Sequence, residues 1–304
     1  MPWKPVPLPP ERAFLAPPPE VCDFERARVV ILPAPYERTS SFVVGSASGP
    51  EAIIEVSAQL EFYDAEFDAE IFRCAGGIAT LEPLDFGARQ DAEAVALIEE
   101  AVGALLDRGK FVVLLGAEHT VTLGAVRAHA ARFGPLSVLQ IDAHSDLRLE
   151  YQGNPYSHAC VMARVLEVPA VERIAQVGIR AQCRQEALLA RSRSEVRTWY
   201  AHEIKANPAW IEEVLEHLGE RVYVSIDADG LDPSILPTVG TPVPNGLSWG
   251  EFTALLRAVA RSRQIIGVDF VEFIPRPELW YATYTAAEIV HKTLGYIFAP
   301  APGV

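Results

Sequence analysis

Cysteine is scarce: four in 304 residues, at 22, 74, 160 and 183, with no CxxC pair. That spacing excludes a disulfide framework and fits reduced thiols in a cytoplasm. Long apolar runs are missing too. None approaches the ~18 residues needed to cross a bilayer. The start, MPWKPVPLPPERAFLAPPPE, carries neither an apolar secretion core nor a cleavage signature. We therefore expect a soluble cytoplasmic protein. Positive charge is also short, 26 Lys and Arg against 40 Asp and Glu for a net −14. This argues against nucleic acid or an anionic membrane as partner and mildly favours a cationic ligand, although solubility alone explains an acidic surface.

What is present is apolar mass. Half the residues are hydrophobic, enough for a large core, which excludes a disordered chain. Short β-branched or apolar runs alternate with longer helical patterns. The strand candidates are ARVVILPA, KFVVLLG, PLSVLQIDA, RIAQVGI, EVRTW, RVYVSID and QIIGVDFVEF. Helical stretches are expected near 50–62, 90–109, 120–133, 158–167, 182–192, 208–218, 248–262 and 283–297. Alternation of this kind predicts an α/β fold, a parallel sheet covered by helices on both faces. The first twenty residues hold eight prolines and are expected to form an extended arm. With no linker inside 28–297 and no solenoid repeat, we expect an arm over 1–27 and a single domain over 28–304.

Open parallel sheets bind ligands outside the carboxyl ends of their strands. Those ends concentrate metal-type side chains: Gly116-Ala117-Glu118-His119 after FVVLL, Asp142-Ala143-His144-Ser145-Asp146 after SVLQI, Asp227-Ala228-Asp229 after VYVSI, and Glu272 after IIGVDFV. In extended chain alternate residues share a face, so Asp142, His144 and Asp146 can project together, as can Asp227 and Asp229. Carboxylates at the mouth of a buried strand are costly unless paired or metal-bound. Four carboxylates with two imidazoles are too many for one ion and suit two divalent ions such as Mn²⁺, with zinc, nickel and iron left open. Each motif alone also fits a solvated strand-end cap. The Asp227 motif is not an EF-hand, since the glycine and closing glutamate positions hold Asp232 and Thr238.

In order, GAEH, DAHSD, SIDADGLDPSILPTVGTP and GVDFVEFIP resemble the signature blocks of the ureohydrolases, the arginase/agmatinase family. GPEAI at 49–53 and SHACVMAR at 157–164 are similar to family segments, and the SHAC block looks most like bacterial and archaeal agmatinases. The resemblance implies a three-layer α/β/α fold and two Mn²⁺ per chain. One ion would be held by His119, Asp142, Asp146 and Asp227, the other by Asp142, His144, Asp227 and Asp229, with Asp142 and Asp227 bridging. It implies hydrolysis of agmatine to putrescine and urea by hydroxide from a bridging water, hence a role in polyamine biosynthesis, and a homo-oligomer, trimer or hexamer. Asp146 would orient that hydroxide, Glu272 would bind the guanidinium, and His158 would shuttle a proton.

The chain departs from the family pattern at Ala117, at Val239 within Pro237–Pro242 and at Ile274, and no ligand is lost. Substrate choice is expected in the loop 147–157. Glu150, Asn154 and Tyr156 are the candidates for the tail of the substrate, with Arg148 as the residue that would instead receive a carboxylate. Cys160 reads as a packed helix thiol. His129, His202, His217 and His291 lack metal spacing, and Asp232 before Pro233 reads as a turn former. Three alternatives stay open: guanidinobutyrase or arginase, a non-catalytic metal-binding relative, and a metallo-phosphoesterase, which Glu272 disfavours because it would repel phosphate.

Overall fold

The computed structural model describes residues 3–300. Among the described residues ten strands form: β1 Val29–Ala34, β2 Tyr63–Asp64, β3 Ala69–Glu70, β4 Ile78–Thr80, β5 Phe111–Gly116, β6 Leu136–Ile141, β7 Val171–Ile179, β8 Val196–Tyr200, β9 Arg221–Asp227 and β10 Gln264–Val271. β2 and β3 pair as a small antiparallel hairpin, while the other eight build one sheet in the order β4-β1-β5-β10-β9-β6-β7-β8. Every pairing in that sheet is parallel. The seven strand candidates all form. β4 was not among them, since three residues are too few to show a period.

Side-chain alternation along each buried strand feeds two cores. On one face Ile31, Leu115, Leu139, Val224 and Phe270 pack beneath the helices Gly49–Ser57, Trp249–Ser262 and Trp280–Phe298. On the other, Val30, Leu114, Val138 and Tyr223 pack beneath Asp91–Asp107 and Thr122–Phe133. The chain is thus the three-layer α/β/α sandwich that alternation predicted.

The proline-rich start is extended only in part. Pro7 bridges Leu81 in antiparallel fashion and Leu8 N–H donates to Thr80 O at 2.8 Å, so this segment covers the edge strand β4. One-turn helices follow at Pro10–Arg12 and Pro19–Cys22, and between them Phe14 and Leu15 are fully buried. Burying those side chains, with the Phe14 and Leu15 N–H groups donating to Thr80 Oγ1 at 2.9 Å and Ser57 Oγ at 2.8 Å, secures the segment.

β10 carries a bulge between Ile265 and Gly267. The bulge makes room for His129, a fully buried ring whose pKa burial pushes down to about 4. A Cβ at Gly267 would overlap that ring. Gly267→Ala should therefore cost about 1–3 kcal/mol, read as a lowered denaturation midpoint. Combining it with His129→Ala should cost less than the sum of the two single changes. A strictly additive double variant would show that the ring is not what the methyl meets.

Candidate metal centre

The four marked strand ends are neighbours, because β5, β10, β9 and β6 occupy the centre of the sheet side by side. His119, Asp142, Asp146, Asp227 and Asp229 are all nearly or fully buried, and the His144 side chain is about one-quarter exposed, at 28%. His119 Nδ1 lies 3.2 Å from Asp142 Oδ2, 3.0 Å from Asp146 Oδ2 and 3.4 Å from Asp227 Oδ2. His144 Nδ1 lies 2.9 Å from Asp229 Oδ2 and 3.7 Å from Asp142 Oδ1. His119, Asp142 and Asp146 form one group able to hold an ion, and Asp142, His144 and Asp229 form a second. Asp142 is common to both, as a bridging carboxylate must be.

Simple alternation does not bring these groups together. β6 ends at Ile141 and β9 at Asp227, so the later ligands lie beyond the strands. Asp146 is turned inward by a left-handed backbone, φ 51°. Asp229 sits in a single 3-10 turn, its N–H donating to Asp227 Oδ1 at 2.8 Å. Beneath that turn the Arg180 guanidinium donates to the carbonyls of Gly178, Asp229, Gly230, Leu231 and Val243. Glu272 is also left-handed, φ 63°, a sparsely populated region for such a side chain that costs of order 1 kcal/mol or more. Its Oε1 accepts the His119 N–H at 2.7 Å.

One register row across the sheet supports the ligands from below. Asp269, Ser225, Gln140, Gln176 and Thr198 stand opposite one another on β10, β9, β6, β7 and β8. Ser225 Oγ donates to Asp269 Oδ1 at 2.7 Å and so accepts at 2.9 Å from His119 Nε2. That donation holds a proton on His119 Nε2 and turns Nδ1 towards the carboxylates. Gln140 Nε2 donates to Asp142 Oδ2 at 2.7 Å, Gln176 donates to Gln140 at 2.6 Å, and Thr198 donates to Gln176 at 3.0 Å. The row was missed in the sequence, although polar residues inside apolar strand runs are a visible signal.

The electrostatics are those of a site short of positive charge. Burial, with Asp146 and Asp229 nearby, pushes Asp142 up to about 7. Burial, with Asp229 and Asp142, raises Asp227 well above the carboxylate range. Burial also raises Glu272 strongly, and the nearby Glu118 adds to it. Burial alone would lower both imidazoles, yet the facing carboxylates raise His119 and bring His144 to about 10. Each of these groups is pushed towards the form that relieves excess negative charge, whereas Asp229, buried but facing His144, is held well below the usual carboxylate range.

A cavity of about 330 Å³ opens above the cluster, with His144, Asp146, Asp227, Asp229, Glu272 and His158 in its wall. Of the loop 147–157, only Arg148 and Tyr151 line it. Glu150 is exposed in a separate groove. Asn154 is spent on Asp91 Oδ1, at 2.7 Å, and on the Tyr156 N–H, while Tyr156 packs against the core. The structure therefore does not bring Glu150, Asn154 or Tyr156 to the cavity, because the loop folds back on itself through the Tyr151–Asn154 bridge. The buried Glu186 takes that place, its side chain fixed by the Leu147 and Cys183 N–H groups. The loop Ser40–Val43 and Gly240-Thr241 close the mouth. Val239 bridges Phe273, so the glycine-poor segment is stitched beside Glu272.

The remaining residues have structural explanations. Cys160 is fully buried and its thiol is pushed up to about 12, which leaves it unreactive. Asp232 accepts from Ser234 and Gly246 in a turn. Asp64, Glu288 and His291 form a further acidic group, but the Lys292 ammonium lies 2.7 Å from Asp64 and supplies the cation there.

The profile of the arginase family matches residues 27–295. The chain belongs to that family. An N(1)-aminopropylagmatine ureohydrolase of Thermus thermophilus is 43% identical over 274 residues, 90% of this chain and 91% of that protein. The agmatinase of Bacillus anthracis is 36% identical over 254 residues, 83% of this chain and 85% of that one. The crystal structure of the agmatine ureohydrolase of Thermoplasma volcanium superposes with a TM-score of 0.81 at 30% identity, covering 91% and 92% of the two chains. This arginase-family protein is accordingly an agmatinase-like ureohydrolase, an enzyme acting on guanidino C–N bonds.

Proposed function

We propose that this enzyme is a manganese-dependent ureohydrolase of cationic guanidino amines, with N1-aminopropylagmatine as the preferred substrate and agmatine as the second, releasing urea and the corresponding amine. The observation that carries this reading is the half-buried Glu272 carboxylate in a cavity lined by four more carboxylates and two imidazoles. The wall holds five carboxylates, Asp146, Glu186, Asp227, Asp229 and Glu272, against one fixed cation among the described residues, Arg148. Arg148 is already engaged, 3.8 Å from Glu186 and over the Tyr151 ring, which disfavours a substrate with a terminal carboxylate. Higher identity to the aminopropylagmatine enzyme than to the agmatinase, 43% against 36%, supports the longer amine as first choice.

The residues fit a pair of divalent ions. His119 Nδ1 is buried without a hydrogen bond while facing three carboxylate oxygens, the arrangement of a ligand atom. His119, Asp142, Asp146 and Asp227 would hold one ion and Asp142, His144, Asp227 and Asp229 the other. When bound, such ions supply Lewis acidity and lower the pKa of a shared water towards neutrality. Asp146 orients the attacking water and takes its proton. Glu272, one oxygen tied to the His119 N–H, offers the other to the guanidinium and holds its plane for attack. His158, at the cavity wall, accepts that proton from Asp146 and passes it to the departing amine. Free, unpaired cysteines accord with a cytoplasmic location, and we take the enzyme to be a homo-oligomer.

Urea release from the Mn²⁺-loaded enzyme tests the assignment, with N1-aminopropylagmatine, agmatine, arginine and 4-guanidinobutyrate compared. The two amines are expected to exceed the two carboxylate substrates by at least about tenfold in kcat/KM. Preference for a carboxylate substrate would overturn the reading of Arg148, and no urea from any of the four would overturn the function.

A further inference from the structure

We propose that Thr39 is a positioning residue that fixes the tautomer of His158 and thereby points Nε2 at the substrate. The inference rests on the proposed role of His158 in proton transfer. Thr39 lies on the loop between β1 and the helix Gly49–Ser57, far in sequence from both its partners. Its hydroxyl meets three groups at once: Glu118 Oε1 at 3.0 Å, the His158 N–H at 2.9 Å and His158 Nδ1 at 3.1 Å.

A hydroxyl has one hydrogen to give and two lone pairs to offer. The Glu118 carboxylate, fully buried, already accepts the Arg38 and Thr39 N–H groups on Oε2, at 2.8 and 2.6 Å. Its Oε1 takes the Thr39 hydrogen, the stronger charge-assisted choice over a neutral ring nitrogen. Both lone pairs of the hydroxyl then face His158, one receiving the backbone N–H and the other Nδ1–H, for which the Ser157 hydroxyl, at 3.4 Å, is a longer second partner. The neutral ring is left with its proton on Nδ1 and a free lone pair on Nε2. Tyr151 packs edge-on against the ring, with centroids 6.2 Å apart, and limits its rotation. A ring of the opposite tautomer would present an N–H where the reaction needs a site that can gain and then give a proton.

Thr39→Val keeps the shape of the side chain and removes the hydroxyl, while Thr39→Ser keeps the hydroxyl. In the Mn²⁺-loaded enzyme Thr39→Val is expected to lower kcat by about 10- to 100-fold, within the range of general acid–base contributions, with KM changed less than about threefold. Thr39→Ser should restore most of kcat, and metal content should be unchanged in both. A Thr39→Val variant with wild-type kcat, or one in which only KM moves, would overturn the inference. Neutron diffraction from deuterated wild-type protein above pH 8 provides a readout independent of turnover. A deuteron on His158 Nδ1 is expected, and one on Nε2 with the Thr39 hydroxyl pointing at Nδ1 would overturn the assignment. Wild-type protein that releases no urea would instead remove the proposed function, and the neutron map would still decide the tautomer.

Discussion

Asp227→Asn is expected to lower kcat by about 1000-fold or more and to reduce bound Mn²⁺ to at most one ion per chain. The same variant, stripped of metal, is expected to melt no lower than the metal-free wild type. The two outcomes share one cause. Asp227 is buried beside Asp142 and Asp229, and burial together with those two carboxylates raises its pKa. Asparagine keeps the acceptor for the Asp229 N–H, which lies 2.8 Å from Oδ1, and removes a carboxyl group whose ionisation burial penalises. If Asp227 is a metal ligand as proposed, its loss would remove the electrostatic element on which the chemistry depends, hence the size of the effect on kcat. Wild-type protein should gain about 2.7 kcal/mol per site at a free Mn²⁺ concentration a hundredfold above Kd. At roughly 2 °C per kcal/mol, Tm should rise by about 5 °C per site. Metal analysis, kinetics and calorimetry with and without chelator measure all three, and a variant that retains two ions and wild-type kcat would remove Asp227 from the ligand set.

Glu272→Gln is expected to separate substrate recognition from metal binding. The glutamine oxygen can still accept the His119 N–H, so His119 stays in place and two ions should bind. The charge opposite the guanidinium is gone, and losing one partner of a buried charged pair costs about 2–5 kcal/mol. We expect kcat/KM for agmatine to fall by about two to three decades. Without substrate the balance reverses. Burial raises the pKa of the wild-type carboxylate strongly, with Glu118 adding to the effect, so its neutral replacement should raise the Tm of the substrate-free enzyme. A variant that loses manganese along with activity would place Glu272 among the groups that hold the metal site together.

The sheet and the candidate ligands were legible in the sequence for the same reason. Buried parallel strands must be nearly all apolar, so charged residues at their carboxyl ends stand out, and His119, Asp142, Asp227 and Glu272 lie at or within three residues of the ends of such runs. The supporting row, Asp269, Ser225, Gln140, Gln176 and Thr198, was visible residue by residue but not as a row, because register between strands is set by pairing and not by chain order. The substrate wall was the least legible part. Proximity to Asp146 and His158 pointed to Glu150, Asn154 and Tyr156, but the 151–154 bridge turns that loop on itself and Glu186 reaches the cavity instead. A loop side chain is directed by contacts distant in sequence, as Thr39 is by Glu118, 79 residues away.

By itself, the sequence determined the fold class, through its alternation of strands and helices, and the family, through the ordered blocks that resemble the ureohydrolases, while charged residues at strand ends marked the six candidate metal ligands. Only the tertiary structure decided that β9 and β10, the last strands made, insert between β5 and β6 and so draw four distant strand ends into one pocket. It alone decided that Asp146 and Glu272 turn inward through left-handed backbones. Those arrangements arise because pairing two apolar strands at the sheet centre buries both of their faces, a gain that depends on the whole sheet and is written in no single segment.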